Sequence, residues 1–141
     1  MDTMNDILPF QITNDITLIV EKAENFGSGI AEAFVRLAEK IGHYGVKRDC
    51  YGIIIQVNNE MNYFAGYSEL HDNEASEKGL PISIIPAGNY QSILIENWNQ
   101  NLLKIGPTFD QIVRSNKVDR TSPYIEFYQT EQKLICMIQS K

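Results

Sequence analysis

The chain has 141 residues and a formal net charge of −6, from 12 basic and 18 acidic side chains. A chain of this length buries enough surface to fold without a metal or a disulfide, so one domain over 1–141 is predicted. The acidic balance argues against direct binding of nucleic acid, which requires a basic patch. No signal peptide or apolar run long enough to span a membrane is found, so we expect a cytoplasmic protein without a membrane partner.

The first half of the chain is predicted to begin with a strand and an amphipathic helix. The strand covers 16–20, a β-rich run with polar flanks. A glycine-containing break at 26–29 follows, in which Ser28 is a candidate helix cap. Apolar residues at spacings of four, three and four then predict a helix over 30–41 with one buried face. Two glycines end this helix, Gly42 and Gly45.

A hairpin and a linker complete the first half. The strands 51–57 and 61–70 flank a turn at 58–60. The polar segment 71–79 is predicted to be an exposed linker between the halves.

The second half repeats the plan of the first. Pro107 suits the first turn of a helix, where its missing N–H would have no partner in any case. Apolar runs lie at 81–85 and 90–95, a helix is predicted at 107–115, and strands are predicted at 123–128 and 133–138.

The two halves, about 11–70 and 80–141, align as copies of one strand-helix-strand-strand pattern. One constant shift places 17–21 over 92–96, and a shift two residues shorter places 51–56 over 124–129. The pattern predicts an α+β fold in which two pseudo-twofold halves share an antiparallel sheet with two helices. Such halves leave a central cleft, which is a usual ligand site.

Glu126 is the strongest candidate for a functional residue. Because alternate side chains of a strand share a face, Tyr124 and Tyr128 point to the same side as Glu126. A carboxylate among phenols is costly to desolvate and favours a cation or a proton as its partner. Glu126 is thus a counter-ion for a ligand or a general acid; the alternative is a solvated glutamate on an exposed sheet face.

A second acidic and aromatic strand places Tyr63, Tyr67 and Glu69 on one face. Its alternative is an amphipathic hairpin with its polar face in water. Gly66 within this strand indicates a bulge or a close backbone approach. Trp98, the only tryptophan, lies in a polar loop; it either walls a site for a cation or anchors the loop to the core.

No cofactor or metal site is predicted. Cys50 and Cys136 form no metal-binding spacing and are expected to be buried, reduced thiols. His43 and His71 lie apart in loops, with no carboxylate or cysteine at a useful spacing.

Four short stretches, in this order and spacing, resemble the GyrI-like or AraC-type effector-binding domain. They are 51–53, 63–66, 80–90 and 123–128. The resemblance implies that the proline-aromatic-x-glutamate strand places Glu126 in a ligand cleft. The chain departs from the family at two places: 129–131 lacks the proline that often follows, and 96–98, which borders the cleft, lacks the usual glycine.

The resemblance implies a stand-alone domain that binds small aromatic ligands, cationic ones included. Its role would be linked to transcription regulation or to sequestration of toxins and drugs, with a transcription regulator or gyrase as protein partner. One alternative is a hydrolase of strained-ring natural products, with Glu126 as catalytic residue; another is a gyrase-inhibitor-like, protein-binding module. The predicted ligand-binding residues are Glu126, Tyr67, Glu69, Trp98, Tyr124, Tyr128 and Tyr51.

Overall fold

The structure is a computed structural model that describes residues 6–25, 28–42 and 47–141. Two short 3-10 turns, Trp98–Gln100 and Leu102–Lys104, precede the last helix. In chain order, the described elements are β1 (Leu8–Ile12), β2 (Ile16–Lys22), α1 (Ile30–Ile41), β3 (Cys50–Val57), β4 (Glu60–Ser68), α2 (Glu74–Lys78), β5 (Ile82–Ile85), β6 (Gly88–Glu96), α3 (Ile105–Arg114), β7 (Tyr124–Tyr128) and β8 (Lys133–Gln139). In these ranges, no helix has both the length and the apolar character that crossing a bilayer requires.

The strands form one antiparallel sheet in the order β1-β6-β8-β7-β3-β4-β2-β5. The order β6-β8-β7 of the second half mirrors the order β2-β4-β3 of the first, and β7 meets β3 at the centre. The α+β fold and its duplicated halves are therefore confirmed. The sequence did not predict how the outermost strands pair. β1 pairs with β6 of the second half, and β5 pairs with β2 of the first.

Two clusters of buried residues lie on the two faces of the sheet. The helix-side core includes the buried faces of α1 and α3, with Leu37 and Ile112 fully buried. The opposite core contains apolar side chains of the alternate strand positions, such as Ile53 and Ile125. The face of each strand residue thus decides which core it joins, since alternate side chains point to opposite sides.

The predicted residue alignment between the halves is wrong in the strands, because the predicted counterparts lie on opposite faces of the sheet. Tyr51 stacks on Phe127 in the opposite core, whereas Tyr124, its predicted counterpart, stacks on Phe109 of α3 in the helix-side core. A slip of one residue reverses the face of every side chain. The buried run 18–20 has no alternation of polar and apolar residues that would have set the register.

The ends of α1 agree only in part with the prediction. Gly42 ends the helix with a φ of 76°, and its N–H donates to the carbonyl of Ala38. Ser28 is not the cap: the N-cap is Gly29, which makes no side-chain capping bond. The predicted break at 26–27 and Gly45 lie outside the described residues.

Replacing Gly42 by alanine is expected to lower the free energy of unfolding by about 1 kcal/mol, because a Cβ disfavours left-handed backbone. The added methyl meets nothing within 4 Å, so the loss would come from the backbone alone. Urea unfolding followed by circular dichroism measures it. The matched control is Gly106→Ala, whose methyl is equally unobstructed but lies inside α3. That variant should be neutral or more stable; equal losses would contradict the explanation.

The predicted hairpin is confirmed. β3 and β4 pair in register up to Val57 and Glu60. Asn58 and Asn59 between them both have positive φ, 52° and 65°, as the tight two-residue hairpin turn requires.

The prediction of an exposed linker over 71–79 is wrong in its middle. α2 lies there and buries Glu74 completely. The Glu74 carboxylate accepts bonds from Arg48 Nη1 at 2.8 Å and Nη2 at 2.6 Å, and from the Leu70 N–H at 2.9 Å. Since the partner lies 26 residues away along the chain, the local charge pattern could not reveal this burial.

Candidate functional site

The carboxyl group of Glu126 is buried beneath the helices. Glu126 lies on β7 and is 4% exposed. The hydroxyls of Tyr63 and Tyr128 both donate to its Oε1, at 2.6 Å and 2.8 Å. The alternative of a solvated glutamate on an exposed sheet face is therefore wrong.

Neighbouring strands position this group. Glu126 lies opposite Gly52 of β3 and Cys136 of β8, at the centre of the sheet. Tyr63 reaches it from β4 across the position of Gly52. A Cβ at Gly52 would overlap the Tyr63 hydroxyl and Glu126 Oε1, so the contact depends on a residue without a side chain.

Aromatic rings cover the carboxyl group. Phe34 of α1 makes edge contacts with three tyrosine rings, at centroid distances of 5.9 to 6.4 Å. The Trp98 ring lies 4.9 Å from that of Tyr128, and its Nε1 donates to the Thr130 carbonyl at 3.4 Å. Trp98 thus both anchors its loop and walls the group. We call this set the Glu126 cage: Glu126, Phe34, Tyr63, Tyr67, Trp98 and Tyr128.

The predicted cleft is closed in the structure. Phe34 and Trp98 are half-buried, and the space above Glu126 is filled by the protein's own rings. A shallow groove does exist on the other face of the sheet, among strands β3, β5, β6, β7 and β8. Its lining residues include Ile53, Ile84, Ile85, Pro86, Tyr90 and Pro123.

Burial raises the pKa of Glu126 above its ordinary value, and the bonds from Tyr63 and Tyr128 oppose that rise. Across 6–25, 28–42 and 47–141, no basic side chain forms an ion pair with this carboxylate. The site therefore holds an acid that can keep a proton or accept a cation.

The two cysteines near this acid are free thiols; Cys136 is buried, as predicted, whereas Cys50 is half-buried. Burial and the charge of Glu126 raise the pKa of Cys50 to about 12, and they raise that of Cys136 as well. Both thiols therefore stay neutral near pH 7 and are poor nucleophiles.

The structure does not bring every predicted residue to Glu126. Tyr51 lies on the opposite face of the sheet. Glu69 Oε2 accepts a bond from the Ala75 N–H at 2.9 Å, at the start of α2. Tyr124 is on the correct face, but its ring stacks on Phe109 of α3 at 5.1 Å. Tyr67, Trp98 and Tyr128 do lie in the cage.

Two members of the cage were missed as site residues. Tyr63 shares a face with Tyr67, a pattern visible in the sequence, yet only the pairing of β3 with both β4 and β7 brings it to Glu126. Phe34 belongs to the apolar stripe of α1, where nothing in the sequence distinguishes it from an ordinary core residue.

No protein-family model matches the chain, and no curated protein is significantly similar to it. Solved structures do match over nearly its whole length. SAV2435 bound to tetraphenylphosphonium has a TM-score of 0.62 at 15% identity, covering 96% of this chain and 94% of that one. The EcmrR C-terminal domain has a TM-score of 0.62 at 13% identity, with 99% of each chain covered. A hydrolase from Listeria innocua has a TM-score of 0.59 at 8% identity, with coverages of 94% and 91%. At such identities the likeness shows a shared fold.

Proposed function

We propose that the chain is a small-molecule-binding domain that takes an aromatic cation into the Glu126 cage. The observation that carries the proposal is the buried carboxyl group, held by two tyrosines and without a basic partner among the described residues. An ionised carboxylate is costly to bury alone and gains most from a bound positive charge. The surrounding ring faces attract a cation as well.

The fold neighbours support this function. One was solved with tetraphenylphosphonium, an aromatic cation, and another is the C-terminal domain of EcmrR. Our proposal extends to the role of an effector sensor linked to transcription regulation, or of a protein that sequesters toxic aromatic cations.

Binding requires the cage to open. Phe34 contacts three tyrosines and Trp98 contacts Tyr128, so a ligand reaches Glu126 only when these rings move. Phe34 belongs to α1 and Trp98 to the loop before α3, so these two segments carry the rings that must move. A partner protein that contacts either segment would be able to detect the bound state.

Titration with tetraphenylphosphonium and with neutral triphenylphosphine oxide tests the proposal, read by the fluorescence of Trp98. The Glu126→Gln variant should lose about tenfold or more of its affinity for the cation, about 1.4 kcal/mol, and little for the neutral ligand. Glu131→Gln, at an exposed position, is the matched control and should bind both as the wild type does. Equal losses for both ligands in Glu126→Gln would contradict the counter-ion role.

A hydrolase is the second candidate, favoured by the raised pKa of Glu126 and by the hydrolase that shares the fold. A carboxyl group whose pKa is raised above its ordinary value is a better general acid at a given pH. Tyr128 would then orient the substrate. Mass spectrometry of strained-ring electrophiles incubated with the protein distinguishes the two functions, because a hydrolase adds water to them. Turnover that persists in Glu126→Gln would exclude this mechanism.

A further inference from the structure

We propose that Gly52 determines the ligand preference of the Glu126 cage. The absence of a side chain at this position admits the Tyr63 hydroxyl to the Glu126 carboxylate, and that contact makes the cage prefer a cation to a neutral ligand of similar shape. The inference rests on the proposed function, since it concerns the selectivity of the same site.

Gly52 lies directly beneath the contact. It pairs with Glu126 on β7 and with Ala65 on β4. A Cβ built on Gly52 would overlap the Tyr63 hydroxyl, Tyr63 Cζ and Glu126 Oε1. Tyr63 and Glu126 are only 1% and 4% exposed, so both side chains are enclosed by neighbouring atoms. Even alanine must therefore push the two side chains apart.

The contact matters because it stabilises the ionised carboxylate. A hydrogen bond donated to a carboxylate favours its charged form, whereas burial favours the protonated form. When Tyr63 withdraws, Tyr128 alone opposes the effect of burial on Glu126. A cation must then displace a proton, while a neutral ligand need not. The preference for cations at a given pH falls accordingly.

The other groups that face Glu126 do not titrate near neutral pH. Burial raises the pKa of each of the neighbouring phenols and thiols. Arg36 and Lys40 of α1 are engaged with Glu21. The titration midpoint of the Glu126 carboxyl group therefore reports whether the Tyr63 hydroxyl contacts it. The facing groups are Cys50 of β3, Tyr63 and Tyr67 of β4, Tyr128 of β7 and Cys136 of β8.

Carboxyl ¹³C NMR of the ligand-free protein tests the inference, with the Glu126 signal assigned by its absence in Glu126→Gln. Gly52→Ala and Tyr63→Phe should each raise the titration midpoint by about one pH unit. The double variant should move it no further than the larger single shift, because both changes remove one contact. At a pH below the wild-type midpoint, each single variant should lower the affinity ratio of tetraphenylphosphonium to triphenylphosphine oxide by about tenfold.

The matched control is Gly66→Ala on β4. Its added methyl would lie 3.1 Å from Leu18 Cδ1, which belongs to the opposite core, so midpoint and ratio should stay unchanged. An unchanged midpoint in Tyr63→Phe overturns the inference, even if Gly52→Ala fails to fold. A midpoint that rises in Tyr63→Phe but stays unchanged in a folded Gly52→Ala overturns the role of Gly52 alone. A wild type without cation preference overturns the proposed function.

Discussion

Replacing Glu74 by glutamine is expected to lower the free energy of unfolding by about 3–5 kcal/mol, as is typical when one partner of a buried ion pair is removed. Its side chain is fully buried and that of Arg48 is 4% exposed. Lys78 Nζ also lies 3.5 Å from Glu74 Oε2. The variant keeps the shape of the side chain but removes the negative charge that the buried guanidinium of Arg48 contacts. Urea unfolding followed by circular dichroism measures the loss.

Glu77→Gln is the matched control for this prediction. Glu77 belongs to the same helix, but it is 64% exposed and lies 3.9 Å from His71. Its replacement should change stability by less than about 0.5 kcal/mol. A similar loss in both variants would show that α2 itself, rather than the buried pair, carries the effect. Arg48→Met combined with Glu74→Leu should recover much of the stability, since apolar replacements of a buried pair are often tolerated.

Lowering the pH should destabilise the wild type for the same reason that Glu74→Gln does. The bonds from Arg48 lower the pKa of Glu74 from an ordinary 4.5 to about 2. The ionised form is therefore favoured by folding, and its contribution is complete above pH 4.5 and is lost as the pH falls toward 2. The wild type should lose more stability than Glu74→Gln between pH 5 and pH 2.5. Parallel losses would contradict this assignment.

As the pH is raised toward the pKa of Glu126, the affinity for tetraphenylphosphonium should rise about tenfold per pH unit. Above that pKa the affinity should level off. Burial raises that pKa, so at low pH the carboxyl group is protonated and a bound cation must displace the proton. Calorimetric titrations from pH 5 to pH 9 measure the slope and the number of protons released. Glu126→Gln should show a flat profile. A flat profile in the wild type would mean that no proton is exchanged for the cation.

The raised pKa of Glu126 affects folding stability in the opposite direction to cation affinity as the pH changes. A carboxyl group with a raised pKa favours the folded state at low pH, and this contribution is lost as the pH rises through the folded-state value. Glu126 and Glu74 therefore respond to pH in opposite directions. The difference between the stabilities of the Glu126→Gln variant and the wild type should grow as the pH rises through the folded-state pKa of Glu126, in favour of the variant.

The sequence pattern predicted the order of the main elements and their duplication, because the helix spacing and the hairpin signals are local. It could not predict that Glu74 is buried, since its partner Arg48 joins it only after folding. It also left the register of the strands open. Consecutive buried residues, as at 18–20, are compatible with either face of the sheet.

Part of the site was accessible to the same reasoning. Alternation along one strand placed Tyr128 beside Glu126, and the structure confirms that pair. Tyr63 and Gly52 were not assigned to the site, because their contact depends on the order of three strands that are distant in sequence. Phe34 carries no signal beyond its place in an apolar helix face.

The pairing of the outermost strands determines how the two halves are held together. Leu8 of β1 pairs with Ser92, and Ile16 of β2 with Ile85, so each half receives one strand from the other. An element exchanged between two protomers links the subunits of a domain-swapped homodimer, and here the same kind of exchange links the two halves of one chain. The halves are therefore joined at both outer edges of the sheet as well as at its centre, where β3 pairs with β7. To separate at the pair of Gly52 and Glu126, each half would also have to give up the strand that it receives from the other.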